Sequence, residues 1–364
     1  MKILYVTTIG ITMTFFKDFI KKLLDDGHTV DIATNETDSQ VPSCYREWGC
    51  DIYPISTNRS PLSSANISAI KQIKKLVEQE KYDIVHCHTP IAAMCTRLAC
   101  RKARKSGTRV FYTAHGFHFY KGAPLKNWML YYPVEKFCAH FTDVLITINT
   151  EDYALAQKKL KAKKVEYVPG VGMDINKFAD LQISKESVRK ELDVPDNATL
   201  LLSVGELNDN KNHETVIKAI ADLDVYYLIA GIGDKKDYLE NLIDQLGLGE
   251  RVRLLGYRKD IPNLLKATDV YVLPSKREGL NVSVMEAMAS GLPCAVGKIR
   301  GNVDLIDENG GVLFDPRSVE NCKHAIEDVL RRDKERLSKH NLEKMQTMSI
   351  KVINARMKEL YYIN

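Results

Sequence analysis

The chain reads as an α/β protein of two domains, each a parallel sheet wrapped by helices. Three observations predict this. At 364 residues it is too long for one ordinary domain and sufficient for two, each with its own core. It opens with an apolar strand at 2–7, a loop containing Gly10, a helical pattern at 15–26 ended by Gly27, and a second strand at 29–34. That is the start of a doubly wound sheet. From residue 199 the same alternation begins again.

Taken in order, a strand at 51–55, a loop with Pro61 and a helix at 66–80 come next. Residues 82–90, Y-D-I-V-H-C-H-T-P, read as a buried strand that delivers His86 and His88 to its carboxyl end, where open α/β sheets gather ligands. A helix at 91–105 leads to a strand at 109–113 and the loop A-H-G-F-H-F-Y-K-G, which carries His115 beside Gly116, and His118. The span 124–141 holds Trp128, Tyr131, Tyr132, Phe137 and Phe141, with Lys121, Lys126 and Lys136 nearby. It reads either as a core stripe or as a segment that rests in a membrane interface or holds a lipid-linked acceptor. A strand at 143–147 and a helix at 149–159 precede Pro169, Gly170 and Gly172, whose turn chemistry after an apolar strand marks a linker near Gly172.

In the second half, a strand at 199–204 runs into G-E-L-N-D-N-K-N-H and a helix at 214–221. A strand at 226–230 ends in Gly231 and Gly233, a G-x-G turn, and a strand at 252–255 ends in G-Y-R-K-D-I. The apolar run 269–273 is a strand feeding a helix at 280–290, closed by Gly291 and Pro293. The tail from 315 is largely helical.

Composition narrows the class. With 45% hydrophobic and 27% charged residues the chain has the balance of a soluble globular protein. No apolar run approaches the roughly 18–20 residues that span a bilayer, and residues 1–6 enter a strand instead of a signal peptide, so the cytoplasm is the expected compartment. Eight cysteines without a C-x-x-C pair read as reduced thiols, and His86-Cys87-His88 lacks the further ligands of a metal site. The first loop lacks G-x-G-x-x-G, which argues against a nicotinamide enzyme. Asp222-Leu223-Asp224 lies before a strand start, away from the carboxyl ends where ligands gather, and reads as a surface turn.

Charge is uneven. Residues 1–172 carry 24 Lys+Arg against 16 Asp+Glu, and the remainder 28 against 31. Much of the excess sits at Lys71, Lys74, Lys75, Arg97, Arg101, Lys102, Arg104, Lys105 and 158–164. Two readings stand: attraction to an anionic membrane or a diphosphate-bearing acceptor, or ordinary solvated helix faces. Nothing here points to nucleic acid.

The stretch 273–291, L-P-S-K-R-E-G-L-N-V-S-V-M-E-A-M-A-S-G, carries the clearest chemistry. Glu278 lies in the loop and Glu286 on the helix. On one unbroken helix that offset would separate them by about 80° and roughly 12 Å, but a glutamate ahead of the helix is able to share a cleft with one on it. The amides of Leu280, Asn281 and Val282 fall at the helix N-terminus, suited to a phosphate. A nucleotide-sugar has the matching layout, with sugar hydroxyls, diphosphate and ribose diol in line.

This string, E-G-L-N-V-S-V-M-E-A-M-A-S-G with its P-S-x-x-E-G lead, resembles the E-x7-E signature of the retaining family-4 glycosyltransferases. The resemblance implies a GT-B fold, two facing Rossmann-like domains, here 1–172 on the acceptor side and 173–347 binding the donor, with a final helix at 348–364 crossing back to the first. It implies catalytic roles for Glu278, His115 and Lys211, and donor contacts from Glu286, Gly279, Leu280, Asn281, Val282, Tyr257, Arg258, Gly231, Gly233, Gly205 and Gly10. His88-Thr89-Pro90 resembles the family's H-x-P, and Arg300-Gly301-Asn302 a position near the cleft. One departure stands out. Where the family's G-R-L-x-x-x-K loop has arginine, this chain has Glu206, so either Glu206 turns outward or another cation, Arg258 or Arg277, compensates. The implied reaction moves a sugar from a nucleotide-sugar, most readily UDP-linked, to an acceptor hydroxyl such as that of a lipid-diphosphate-linked glycan, without metal or other cofactor. A nucleotide-sugar 2-epimerase and a non-catalytic nucleotide-sugar-binding protein share this architecture.

Overall fold

The computed structural model describes residues 1–364 apart from 38, 62, 180 and 364. The chain divides into two compact units, Met1–Val171 with Ile353–Asn364, and Gly172–Val352.

Among the described residues, the first unit has a seven-stranded parallel sheet: β1 (Lys2–Val6), β2 (Thr29–Thr34), β3 (Ile52–Pro54), β4 (Ile84–His88), β5 (Arg109–Ala114), β6 (Val144–Thr147) and β7 (Lys164–Tyr167), in the order β3-β2-β1-β4-β5-β6-β7. Strand alternation divides its apolar residues between two layers. Leu4 and Val6 pack on one side with Ile73, Val85 and Tyr112; Ile3 and Tyr5 pack on the other with Phe19, Ile32 and Phe111. The second layer is covered by the last helix, Ile350–Tyr362, whose Ile353, Met357, Leu360 and Tyr361 recur at helical spacing and are buried.

The second unit has a six-stranded parallel sheet: β8 (Leu200–Val204), β9 (Tyr226–Ala230), β10 (Val252–Gly256), β11 (Val270–Leu273), β12 (Cys294–Gly297) and β13 (Gly311–Phe314), in the order β10-β9-β8-β11-β12-β13. Winding reverses between β1 and β4 in the first sheet and between β8 and β11 in the second. At such reversals the flanking loops part, leaving a crevice beyond the carboxyl ends of the strands. Those four strands lead into the loops of Gly10, His88-Thr89-Pro90, Lys211 and Glu278, while His115, Gly231 and Tyr257 follow β5, β9 and β10.

Three expectations change. The helix expected at 15–26 is an α-helix only over Lys17–Asp25; Gly10–Phe16 forms a 3₁₀ segment, in keeping with its β-branched and aromatic residues. The helix expected at 280–290 runs Val282–Ala289, because Asn281 is its N-cap and accepts from the Ser283 amide at 3.2 Å. Leu280 therefore precedes the cap. Arg97 is not part of a basic surface: it is 1% exposed, bound through both terminal guanidinium nitrogens to Glu135, with its fork 4.4 Å from the Tyr112 ring centre. Arg104 is likewise engaged, with Asp143 at 2.7 and 2.9 Å. No described helix is long and apolar enough to cross a membrane.

Candidate active site

In the second unit, the loop after β8 is tied to the loop after β11. Lys276 N donates to Asn210 O at 2.8 Å, and Asn210 Nδ2 donates to Arg277 O at 3.0 Å. Asn212, held at φ 60°, donates from Nδ2 to Pro316 O at 2.7 Å and Pro274 O at 3.3 Å. A short amide side chain tolerates this left-handed backbone. These bonds bring Lys211 Nζ to 2.8 Å from Glu278 Oε1, with both side chains largely enclosed. Arg300, 8% exposed, donates from Nε to the Glu278 carbonyl at 3.2 Å.

Backbone contact explains the glycines of this crevice. A Cβ on Gly231 would lie 1.8 Å from Gly205 O, and one on Gly233 would lie 2.3 Å from Leu207 O. On Gly301 it would lie 2.4 Å from Gly279 O. In the first unit, Gly10 meets the backbone of Ser39 in the same way, at 2.4 Å. No side chain fits at these positions without moving main chain.

Glu286 is half-buried, and its carboxylate has no hydrogen-bond or ion-pair partner among the described residues. Burial holds its carboxyl above the usual range, opposed by Lys177. An enclosed acceptor group without a donor suits a ligand hydroxyl pair. Gly279 and Leu280, ahead of its helix, are half-buried, and Val282, on the first helical turn, is 45% exposed.

Glu206 is exposed, and its carboxylate accepts from Asn208 Nδ2 at 2.8 Å. Of the cations expected to balance it, Arg258 is committed elsewhere. Its fork meets Asp260 at 2.5 and 2.8 Å and Glu191 at 3.1 Å, which raises its pKa. It braces the turn that exposes Tyr257. Arg277 is exposed and unpaired among the described residues, and Arg300 stands directly behind Glu278. Asp222 pairs with Lys323 at 2.5 Å, ahead of β9 and away from the carboxyl end of the sheet.

In the first unit, His86 and His88 end β4 and His115 follows β5. Both His86 nitrogens are taken, by Tyr361 Oη at 2.6 Å and Thr113 Oγ1 at 2.8 Å, which leaves none for a metal. Burial pushes its pKa down to about 3, helped by the nearby His115. His88 stacks on Tyr5, with ring centres 5.4 Å apart, and its Nδ1 lies 3.2 Å from His115 Nε2. Burial holds His88 well below the usual histidine range, so it is neutral. Its Nε2 is enclosed with no partner. An orphaned N–H is rarer than an orphaned acceptor, which puts the His88 proton on Nδ1 and makes it the donor to His115 Nε2. His115 itself is exposed.

Two side-chain contacts go beyond what the H-T-P and R-G-N resemblances imply. Thr89 adopts φ 64° and ψ 142°, a region that a β-branched residue occupies only when its surroundings force it, and bonds Thr8 Oγ1 at 2.6 Å across the β1/β4 reversal. The strained H-T-P turn was the available signal. Arg300 reaches Glu278 from a loop 22 residues away.

Two family models match the chain: "Glycosyl transferase 4-like" over residues 2–149 and "Glycosyl transferases group 1" over 184–344. Among curated relatives, "Putative glycosyltransferase EpsD" of Bacillus subtilis (strain 168) is 37% identical over 322 residues, 86% of this chain and 83% of that protein. The UDP-Gal:alpha-D-GlcNAc-diphosphoundecaprenol alpha-1,3-galactosyltransferase of Escherichia coli is 34% identical over 283 residues, 73% of this chain and 72% of that protein. Among solved structures, HepE of Anabaena in complex with UDP superposes with a TM-score of 0.83 at 21% identity, covering 99% of each chain.

Proposed function

The chain belongs to the group 1, family-4-like glycosyltransferases of GT-B fold, and from that premise we propose that it is a retaining enzyme that moves a sugar from a UDP-sugar to a lipid-diphosphate-linked glycan. The contact that carries this reading is Lys211 against Glu278 at the β8/β11 reversal, a cation and an acceptor group side by side where a sugar diphosphate needs both. The acceptor class is supported by the Escherichia coli relative, which acts on a diphosphoundecaprenol-linked sugar.

The reaction breaks the anomeric C–O bond. The sugar gains oxocarbenium character, UDP leaves carrying the bonding pair, and the acceptor hydroxyl oxygen forms the new bond while its proton passes to the departing diphosphate. Lys211 offsets charge on the leaving diphosphate, and the Val282 end of its helix adds a positive dipole. Glu278 accepts hydrogen bonds from donor-sugar hydroxyls, and Glu286 accepts from the ribose diol. Gly256 and Tyr257 lie beside the base, on a turn that Arg258 braces. His115 is assigned a hydrogen bond to the sugar from Nδ1. The enzyme acts at the cytoplasmic face of a membrane that holds its acceptor.

Thermal shift with a panel of nucleotide-sugars, followed by transfer to GlcNAc-diphospho-lipid and NMR of the product anomer, tests this reading. UDP-sugar stabilisation and a retained anomeric configuration are expected. Sugar turnover without any acceptor would replace the reading with epimerisation.

A further inference from the structure

Tyr361, near the end of the last helix, is fully buried in the cluster that holds Phe19, Phe111, Ile353 and Leu360, where a phenylalanine would fill the same space. A buried hydroxyl costs free energy unless it is hydrogen-bonded, so packing the helix does not account for it. Its bonds do. Tyr361 Oη lies 2.6 Å from His86 Nδ1 and 2.9 Å from Tyr5 Oη, and Thr113 Oγ1 holds the other His86 nitrogen at 2.8 Å. Two bonds on opposite edges fix the plane of an imidazole, whereas one would let it pivot. The turn that carries Tyr361 is anchored as well. Arg109, at the start of β5, donates to Tyr361 O and, at 2.6 Å, to Ile363 O, while Lys358 Nζ meets Asp26 Oδ2 at 2.8 Å. A helix end that would otherwise fray is thereby held in place.

His88 gives this arrangement a consequence. Among the described residues its ring makes one hydrogen bond, to His115, and its Nε2 is enclosed without a partner, so its orientation is set by the rings around it. These are Tyr5, stacked with centres 5.4 Å apart, His86 at 4.2 Å and Phe16 at 4.1 Å. Tyr5 and His86 are the two rings that the Tyr361 hydroxyl ties together. Packing alone leaves them room to turn: Tyr5, Phe16, His86 and His88 border a cavity of about 390 Å³ that Asn354 and Met357 also line.

We propose that Tyr361 is a positioning residue for sugar transfer: by tying Tyr5 to His86 it fixes the plane of His88, and through His88 the nitrogen of His115 that carries the proton. The proposal rests on the role given to His115 above. Fully buried, Tyr361 meets no substrate itself and acts only through these rings. The last helix is then part of the scaffold of the site as well as a cover for the sheet.

The test uses three variants of the full chain. Tyr361→Phe removes the hydroxyl and keeps the ring. Thr113→Val, of nearly the same shape, frees the opposite His86 nitrogen while Tyr361 stays bound, and it keeps the proposal open to refutation if the first variant does not fold. Leu360→Ala loosens the same helical turn through packing alone. In ¹⁵N-labelled protein, Tyr361→Phe and Thr113→Val should each replace the single His115 tautomer by a mixture, seen as its two ring-nitrogen shifts drawing together. Each should also lower kcat roughly tenfold, the scale of a small misplacement of a reacting group, with donor KM and Kd for UDP within about twofold. Leu360→Ala should lower the melting temperature and leave the His115 shifts unchanged and kcat within about twofold. Where His115→Ala lowers kcat, unchanged His115 shifts or an unchanged kcat in both hydroxyl variants overturns the proposal. So does a fall in kcat that Leu360→Ala shares in proportion to its melting temperature, which would reduce Tyr361 to a packing role. Full activity in His115→Ala would defeat the reading of His115 instead, and the ring shifts, which need no turnover, would still decide whether Tyr361 fixes that ring.

Discussion

Lys211 Nζ and Glu278 Oε1 stand 2.8 Å apart across two strand-end loops, so the cation assigned to the diphosphate already holds the carboxylate assigned to the sugar. Losing Lys211 therefore removes a charge contact and also releases Glu278. Lys211→Ala should lower kcat by about 10²-fold, the scale of one preorganised contact to a developing charge. Combined with Glu278→Ala, the loss should be smaller than the product of the two single effects, because the residues act as a unit. Steady-state kinetics on the three variants measures this, and a change below about twofold for Lys211→Ala would remove it from the mechanism.

Glu286 gives a prediction in which stability and function move in opposite directions. Its folded-state pKa is raised by burial, so protonation favours the folded state. Stability gained this way appears as pH falls from the raised value toward the ordinary one, and above the raised value the ionised carboxylate is a constant penalty. Glu286→Gln should therefore melt higher than the unaltered protein at neutral pH, while binding UDP at least several-fold more weakly. Calorimetry with UDP titration, repeated between pH 4 and pH 8, reads both effects. A lower melting temperature with unchanged UDP affinity would contradict the assignment.

The His88–His115 contact predicts a tautomer. In ¹⁵N-labelled protein, His115 should carry its proton on Nδ1 and His88 on Nδ1, with both Nε2 atoms bare. His88→Asn should lower kcat more than it changes donor KM, because the ring it orients is disturbed and the donor pocket of the second unit is untouched. His115 protonated on Nε2 in the unaltered protein would rule out His88 as the orienting donor.

Arg97 and Glu135 predict a stability effect far from any reacting atom. Removing either partner leaves a buried charge, so Arg97→Ala or Glu135→Ala should destabilise by about 3–5 kcal/mol. Replacing both, as Arg97→Met with Glu135→Leu, should recover most of that loss. Chemical denaturation of the three variants supplies the comparison.

Metal removal is the simplest check. With lysine and helix dipole offsetting the diphosphate charge, transfer activity should persist in excess chelator, and abolition would count against the mechanism.

Much of this was legible in sequence because it is local. Apolar runs, their spacing and the glycine and proline punctuation between them locate the strands, and functional loops follow strand ends in this topology. Lys211 and Glu278 are readable for that reason. Side-chain pairing across the fold is not. Arg97 looks like one more cation on a basic helix until its partner 38 residues on is in place. Arg258 has the right charge for a phosphate, yet two nearby carboxylates occupy it. Glu206 is the reverse case, an acid at a position expected to be basic. Exposure and a neighbouring amide show how the loop tolerates it.

The backbone contacts of Gly231, Gly233 and Gly301 mean that main chain, not side chains, paves the floor of the second unit's crevice. Paving of that kind resists change, since any substituent lifts one loop off another. The freedom to diverge is left to exposed side chains on these loops: Glu206, Ile232 between the two glycines, and Tyr257. Relatives could acquire a different taste in donor by redecorating those few positions while the foundation stays as it is.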